Sequence, residues 1–236
     1  MSASPSASPR PISPVSASST SSTSSTRSER NSNFLNALDT GKTYEQLYAN
    51  ILQKKYEDED FKMEFAPNKF FPDWDIKTAT IDITGVSYDD AGEPHIDTAV
   101  NVITYEVKGD IVAQNYGNIA VEVGSKPVGV FTDFKPSGIS ATKADMWIHF
   151  IHETKGRNYT EYFEMPTEKM RELCKSVEDD GLSHKQVWGG NDYRSRIHLI
   201  AIKNMPAEYK KRINHDEIDE ELLRRIQLIT PVKVNK

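Results

Sequence analysis

The sequence predicts an α/β domain in which a mixed β-sheet is flanked by helices. Three observations carry this. An apolar stripe at helical spacing opens the ordered part of the chain, a train of alternating segments follows it, and a capped helix and a late apolar strand close it. Helix, six strands, helix, strand is the order of a sheet with helices packed on it.

The stripe is Tyr44, Leu47, Tyr48, Ile51 and Leu52 in "TYEQLYANILQKK", with Thr43 and Gln46 placed as a capping box. Strands are expected at "FKMEF", "WDIKTATIDIT", "AVNVITYEVKG" and "NIAVEVG", the second and third forming a hairpin across the polar link "GVSYDDAGEPHID". A Gly- and Pro-containing loop and a helical turn, "SATKAD", precede the apolar strand "MWIHFIH", and "NYTEYFEMP" ends at Pro166. "TEKMRELCKSVEDDG" reads as a helix with Thr167 as N-cap and Gly181 beyond its end. "VWGGND" is a turn signal, "RIHLIAIK" a late strand and "DEIDEELLRRIQL" a charged helix.

The chain divides into a Ser/Thr/Pro-rich tail at 1–33, a domain at 34–205 and a charged helical extension at 206–236. The tail has almost nothing apolar to bury, so disorder is expected there. Its Ser-rich, Arg-bearing character also suits a transit peptide, but its prolines oppose the amphipathic helix such a peptide forms. Arg10, Arg27 and Arg30 against Glu29 make the tail about +2, which leaves about −8 on the rest of a 236-residue chain of formal charge −6. An acidic domain is not a nonspecific nucleic-acid binder, whose affinity rests on many Lys and Arg contacts to phosphate. Any such function must use local patches, such as Lys126, Lys135 and Lys143, or Lys210, Lys211 and Arg212. No apolar stretch approaches the roughly 20 residues of a membrane span. The single Cys174 points to a reducing, intracellular compartment and, without clustered His or Cys, gives no zinc site.

One strand carries chemistry. In "ITYEVKGD" the apolar residues are Ile103, Tyr105 and Val107, so Glu106 and Lys108 share the opposite face. Asp73 and Asp75, in "FFPDWDIKTATI", stand at the entrance to the preceding strand of the hairpin. Acids so placed can converge, and Mg²⁺ takes one or two carboxylates with several waters. Lys108 beside them can orient or help deprotonate an attacking water.

"PD" at Pro72 and Asp73, "EVK" at 106–108, then "YGNIAVEV" and "KPSGISATKADMWIHFI", together resemble the PD-(D/E)xK nuclease superfamily of phage and large-virus type. The resemblance runs from about Tyr44 to Ile151 and resumes in "YFEMPTEKMRELCKS". It implies a restriction-endonuclease-like core and a metal-dependent DNA endonuclease, with Mg²⁺ or Mn²⁺ held by Asp75, Glu106 and the Val107 carbonyl and Lys108 as the catalytic lysine. Asp75 is preferred because it immediately precedes the apolar strand, and Asp73 is kept as a second candidate. The 31 positions from Asp75 to Glu106 are many for this motif, and the excess falls in the acidic link. The resemblance further implies a 5′-phosphate product, a homodimer, and a virus-encoded protein of the cytoplasm or nucleus.

Each residue also has a plainer reading. Glu106 and Lys108 can be a solvated pair on the sheet, and Asp73 and Asp75 turn residues after Pro72. Glu122 either faces solvent at an edge or joins Glu106 as a further catalytic acid, and Glu45 either completes the site or decorates the first helix. Lys143, Ser137, Thr142 and Lys135 either contact a phosphate backbone or only shape their loop. Two other functions follow from these: an inactive nucleic-acid-binding protein on the same fold, or an interaction protein working through its tail.

Overall fold

A computed structural model of the chain describes residues 27–67, 73–91, 93–111, 113–126, 133–151, 157–180, 184–189 and 194–229. Six strands make a mixed sheet: β1 (Phe61–Phe65), β2 (Ile76–Tyr88), β3 (Pro94–Asp110), β6 (Met146–Ile151), β7 (Tyr159–Pro166) and β10 (Lys210–Asn214), in the order β1-β2-β3-β6-β7-β10. Four make an antiparallel sheet: β4 (Asn118–Ser125), β5 (Lys135–Pro136), β8 (His184–Gly189) and β9 (Ser195–Ala201), in the order β5-β4-β9-β8. The architecture is thus α/β, a mixed sheet flanked by helices.

Every pairing is antiparallel except β3 with β6, where Glu106 lies opposite Trp147 and Lys108 opposite His149. A parallel pair needs a long crossover. Here the crossover holds β4 and β5, which is why "NIAVEVG" belongs to the second sheet rather than lying beside its sequence neighbour β3.

Alternation along β3 and β6 sorts their side chains between two cores. Tyr105, Val107, Ile148 and Phe150 face helix α1 (Arg27–Lys55), whose Tyr44, Leu47, Tyr48 and Leu52 are fully buried against them. Helix α3 (Glu220–Leu228) closes this core with Leu222 and Ile226. Fully burying a side chain of this size contributes about 1.5–3 kcal/mol. On the other face Trp147, Ile151, Phe163 and Met165 meet Met170, Cys174 and Val177 of helix α2 (Thr167–Asp180) and Ile119, Val121 and Ile200 of the second sheet. Glu106, Lys108 and Asp110 share this second face. Gly109 between them has no alternative, because a Cβ there would lie 2.0 Å from Tyr44 Cδ2.

Several expectations are corrected. Thr43 does not open a helix: α1 begins at Arg27, taking in residues 27–33 of the supposed tail, and Thr43 Oγ1 donates to the Asp39 carbonyl at 2.9 Å one turn back. Residues 1–26 lie outside the described residues. Thr167 Oγ1 is buried with no hydrogen-bond partner among the described residues, so it is not the N-cap of α2. The link at 85–97 is mostly strand, because β2 and β3 continue pairing to Tyr88 and Pro94 and turn only at 89–93. Of the turn signal "VWGGND", "VWG" is the end of β8 and residues 190–192 lie outside the described residues. Of the expected helical extension at 206–236, the described residues 206–229 are packed into the domain. β10 is an edge strand paired with β7, and Ile213, Ile218, Leu222 and Ile226 belong to the α1 core.

Candidate functional site

The entrance to β2 sets the first acid. The Asp75 N–H donates to the Tyr105 carbonyl at 2.8 Å, and the Val107 N–H donates to Asp75 Oδ2 at 2.7 Å. These two bonds fold the carboxylate onto β3 between Glu106 and Lys108. Val107, expected to offer a carbonyl to an ion, therefore holds Asp75 in place through its N–H.

Glu106 is only 7% exposed, which rules out the solvated-pair reading. Its Oε1 accepts from Lys108 Nζ and its Oε2 from Thr142 Oγ1 at 3.0 Å. Lys108 Nζ also lies 3.7 Å from Asp75 Oδ2, so one ammonium serves two carboxylates. Burial, together with the charge of Asp75, raises the Glu106 pKa, while Lys108 and the Thr142 hydroxyl oppose the rise. Burial works to lower the Lys108 pKa, but the Glu106 and Asp75 carboxylates, with Glu45 of α1 behind them, outweigh it and raise the net value. Lys108 is thus a stable ammonium in this arrangement, suited to orienting an anion or a water and not to removing a proton. With 39% of its side chain accessible, it can still meet something from solution.

Asp73 stands apart from this group. It is half exposed, paired with Lys143 Nζ at 2.9 Å, and its carbonyl accepts the Lys143 N–H at 3.0 Å. Of the two candidate aspartates, only Asp75 reaches Lys108. Thr142 links the two regions, its Oγ1 lying 3.2 Å from the Asp73 carbonyl. Thr142 is buried and fixes the Glu106 carboxylate, in keeping with the loop-shaping of its two readings. Lys135 and Lys143 are exposed.

Glu122 belongs to β4 of the second sheet and accepts from Ser137 Oγ. Gly138, next in the chain, has φ +55°, and a Cβ there would lie 2.3 Å from the Glu122 carbonyl oxygen. Only glycine lets this loop lie against β4.

Three residues that the sequence reading passed over hold the site together. Arg171 of α2 reaches the Ile139 carbonyl at 3.2 Å and the Thr142 carbonyl at 2.6 Å, clamping the loop that carries Thr142. Asp145 accepts the Thr104 N–H at 2.8 Å and the Thr104 hydroxyl at 2.7 Å, tying the start of β6 to β3. Asp110 accepts the Ala120 N–H at 2.9 Å and so joins the two sheets just beyond Lys108. A carboxylate two residues past Lys108 on the same face was the available signal for Asp110. Nothing local announces Arg171.

Among the described residues no three His, Cys, Asp or Glu side chains converge as a metal cage. The donor set is two oxygen acids already gathered on one positive charge, which fits a hard, largely hydrated cation such as Mg²⁺ and not zinc. No described helix is long and apolar enough to cross a membrane. The class defined by fold and site is an α/β protein with an Asp, a Glu and a Lys converging from adjacent strands. No protein-family model, curated protein or solved structure matches the chain.

Proposed function

We propose that this chain is a metal-dependent nuclease with a restriction-endonuclease-like core that hydrolyses phosphodiester bonds in DNA. The observation that carries the reading is the convergence of Asp75, Glu106 and the half-exposed Lys108 at one point on adjacent strands. Asp75 and Glu106 would hold Mg²⁺ or Mn²⁺, which when bound stabilises charge on a phosphoryl oxygen and lowers the pKa of its water. Thr142 and the Val107 N–H fix the two carboxylates, so the site is set before substrate arrives. Lys108 keeps its proton and directs an N–H at the attacking oxygen or the phosphate. Lys143 and Lys135, exposed on the neighbouring loop, supply charge to the strand being cut, and Ser137 beside Glu122 a hydroxyl.

The test is cleavage of plasmid, linear, single-stranded and four-way-junction DNA with Mg²⁺ or Mn²⁺, for the wild type and for Lys108→Ala. Metal-dependent cutting that the substitution abolishes supports the reading. A folded wild type that cuts none of these substrates, or a variant that cuts equally well, refutes it. One observation favours a second reading: Glu106 is buried and already neutralised by Lys108, as in a purely structural ion pair. On that reading the protein binds without catalysis, and Mg²⁺ leaves its melting temperature unchanged.

A further inference from the structure

Beyond Thr80 and Asn101 the β2–β3 hairpin leaves the sheet. β1 pairs with β2 only as far as Thr80, and β6 pairs with β3 only from Tyr105 onward. The outer hairpin is therefore a two-stranded ribbon, and every residue from Pro94 to Val102 is exposed. Its length from 94 to 102 is roughly 30 Å at about 3.4 Å per residue. A two-stranded ribbon solvated on both faces is marginal in water and needs a surface to pack on.

The two faces of this arm differ in kind. Ile81 lies opposite Val100 and Val86 opposite Ile96, and with Tyr88 and Val102 they form one apolar face, exposed at 38–70%. Asp82 and Asp97 stand on the opposite face, and Asp89, Asp90 and Glu93 at the tip. Between Lys77 and Lys108 the sequence contains no Lys or Arg. An arm without Lys or Arg, its one His95 set beside Asp89, does not grip phosphate. The apolar face itself bears no charge, so it selects an apolar surface rather than a cationic one.

We propose that this face is the self-association surface of the protein, two copies packing arm on arm about a two-fold axis near Thr98. The exposed fractions correspond to roughly 600 Å² of apolar surface per arm, at the upper end for a monomer. Two arms together hide about 1,200 Å², the lower bound of a stable specific interface. A two-fold contact needs a self-complementary patch, and antiparallel arms lay each apolar row on the same row of the partner. That arrangement also sends the two acidic tips to opposite ends. The proposal stands independently of the nuclease reading.

The test is sedimentation velocity of the full chain at increasing concentration and salt. The wild type should sediment with twice the chain mass, and association should hold or strengthen as salt rises, since screening relieves repulsion between acidic arms. Ile96→Asp with Val100→Asp should sediment as a monomer with an unchanged circular dichroism spectrum, because both positions are solvent-exposed in the single chain. Thr98→Cys should form a disulfide-linked dimer under oxidation, the native Cys174 being buried. A wild type still monomeric at about 100 µM, a weak regime for any specific dimer, overturns the proposal. So does a dimer that survives the double substitution, or one that salt dissolves.

Discussion

Replacing Lys108 by Met keeps an unbranched stem of similar length and removes the ammonium. Glu106, 7% exposed, then has the Thr142 hydroxyl at 3.0 Å and the like charge of Asp75 for company. Stripping one partner from a fully enclosed ion pair costs about 3–5 kcal/mol. Because 39% of the Lys108 side chain meets solvent, screening reduces this to about 1–3 kcal/mol. The loss must depend on pH. The Glu106 pKa is already raised by burial, and without Lys108 it climbs further, so a mildly acidic buffer protonates the acid and removes the unpaired charge. Urea unfolding at pH 8 and pH 5 measures both effects through the shift in midpoint. A substantial loss at pH 8 that shrinks at pH 5 is expected, with Glu106→Gln in the same chain restoring stability at pH 8. Equal losses at both pH values, or none at pH 8, would refute the account of the site as a charge-compensated buried acid.

Lys108 also predicts an alkaline limb. Its raised pKa contributes stability that is complete below the ordinary lysine value of about 10.4 and is lost as pH climbs through the raised value, so thermal melts above pH 10 should fall more steeply for the wild type than for Lys108→Met. Thr142→Val leaves Glu106 Oε2 without its donor and should cost about 1–2 kcal/mol, whereas Thr142→Ser should lose little by denaturant titration. Gly138→Ala puts a Cβ 2.3 Å from the Glu122 carbonyl at φ +55° and should cost about 1–3 kcal/mol, read as a lowered Tm. Saturating Mg²⁺ should raise the wild-type Tm, by about 2.7 kcal/mol of stability at a hundredfold excess over Kd, and Asp75→Asn should abolish the rise.

The acid and lysine of β3 were legible because a period of two assigns them a face from the chain alone, and the stripe on α1 because its period is 3.6. What they face was not legible. The second sheet exists through β4 pairing with β9, Asn118 opposite Ala201, and no local pattern encodes a partner so distant. The arm was read as a loop because Asp89, Asp90 and Glu93 mark only its tip, while the pairing of Val86 with Ile96 has no core to announce it. β10 was missed since "KKRIN" exposes its charges and buries Ile213 alone. The role of Thr142 required knowing that the loop after β5 folds back over β3, a placement made by Arg171 from α2.

The two ends of the fold close on each other. Lys54 of α1 donates to the Glu217 carbonyl, and Arg225 of α3 reaches Thr43 Oγ1 at 3.1 Å and Asp39 Oδ1 at 3.8 Å. Leu222 and Ile226 complete the core under Tyr44 and Tyr48. On the ribosome, therefore, the α1 core stays open on one side after Tyr105 and Phe150 have emerged, because Leu222 and Ile226 follow α1 by more than 160 residues. A nascent chain halted before α3 would present that open side to chaperones.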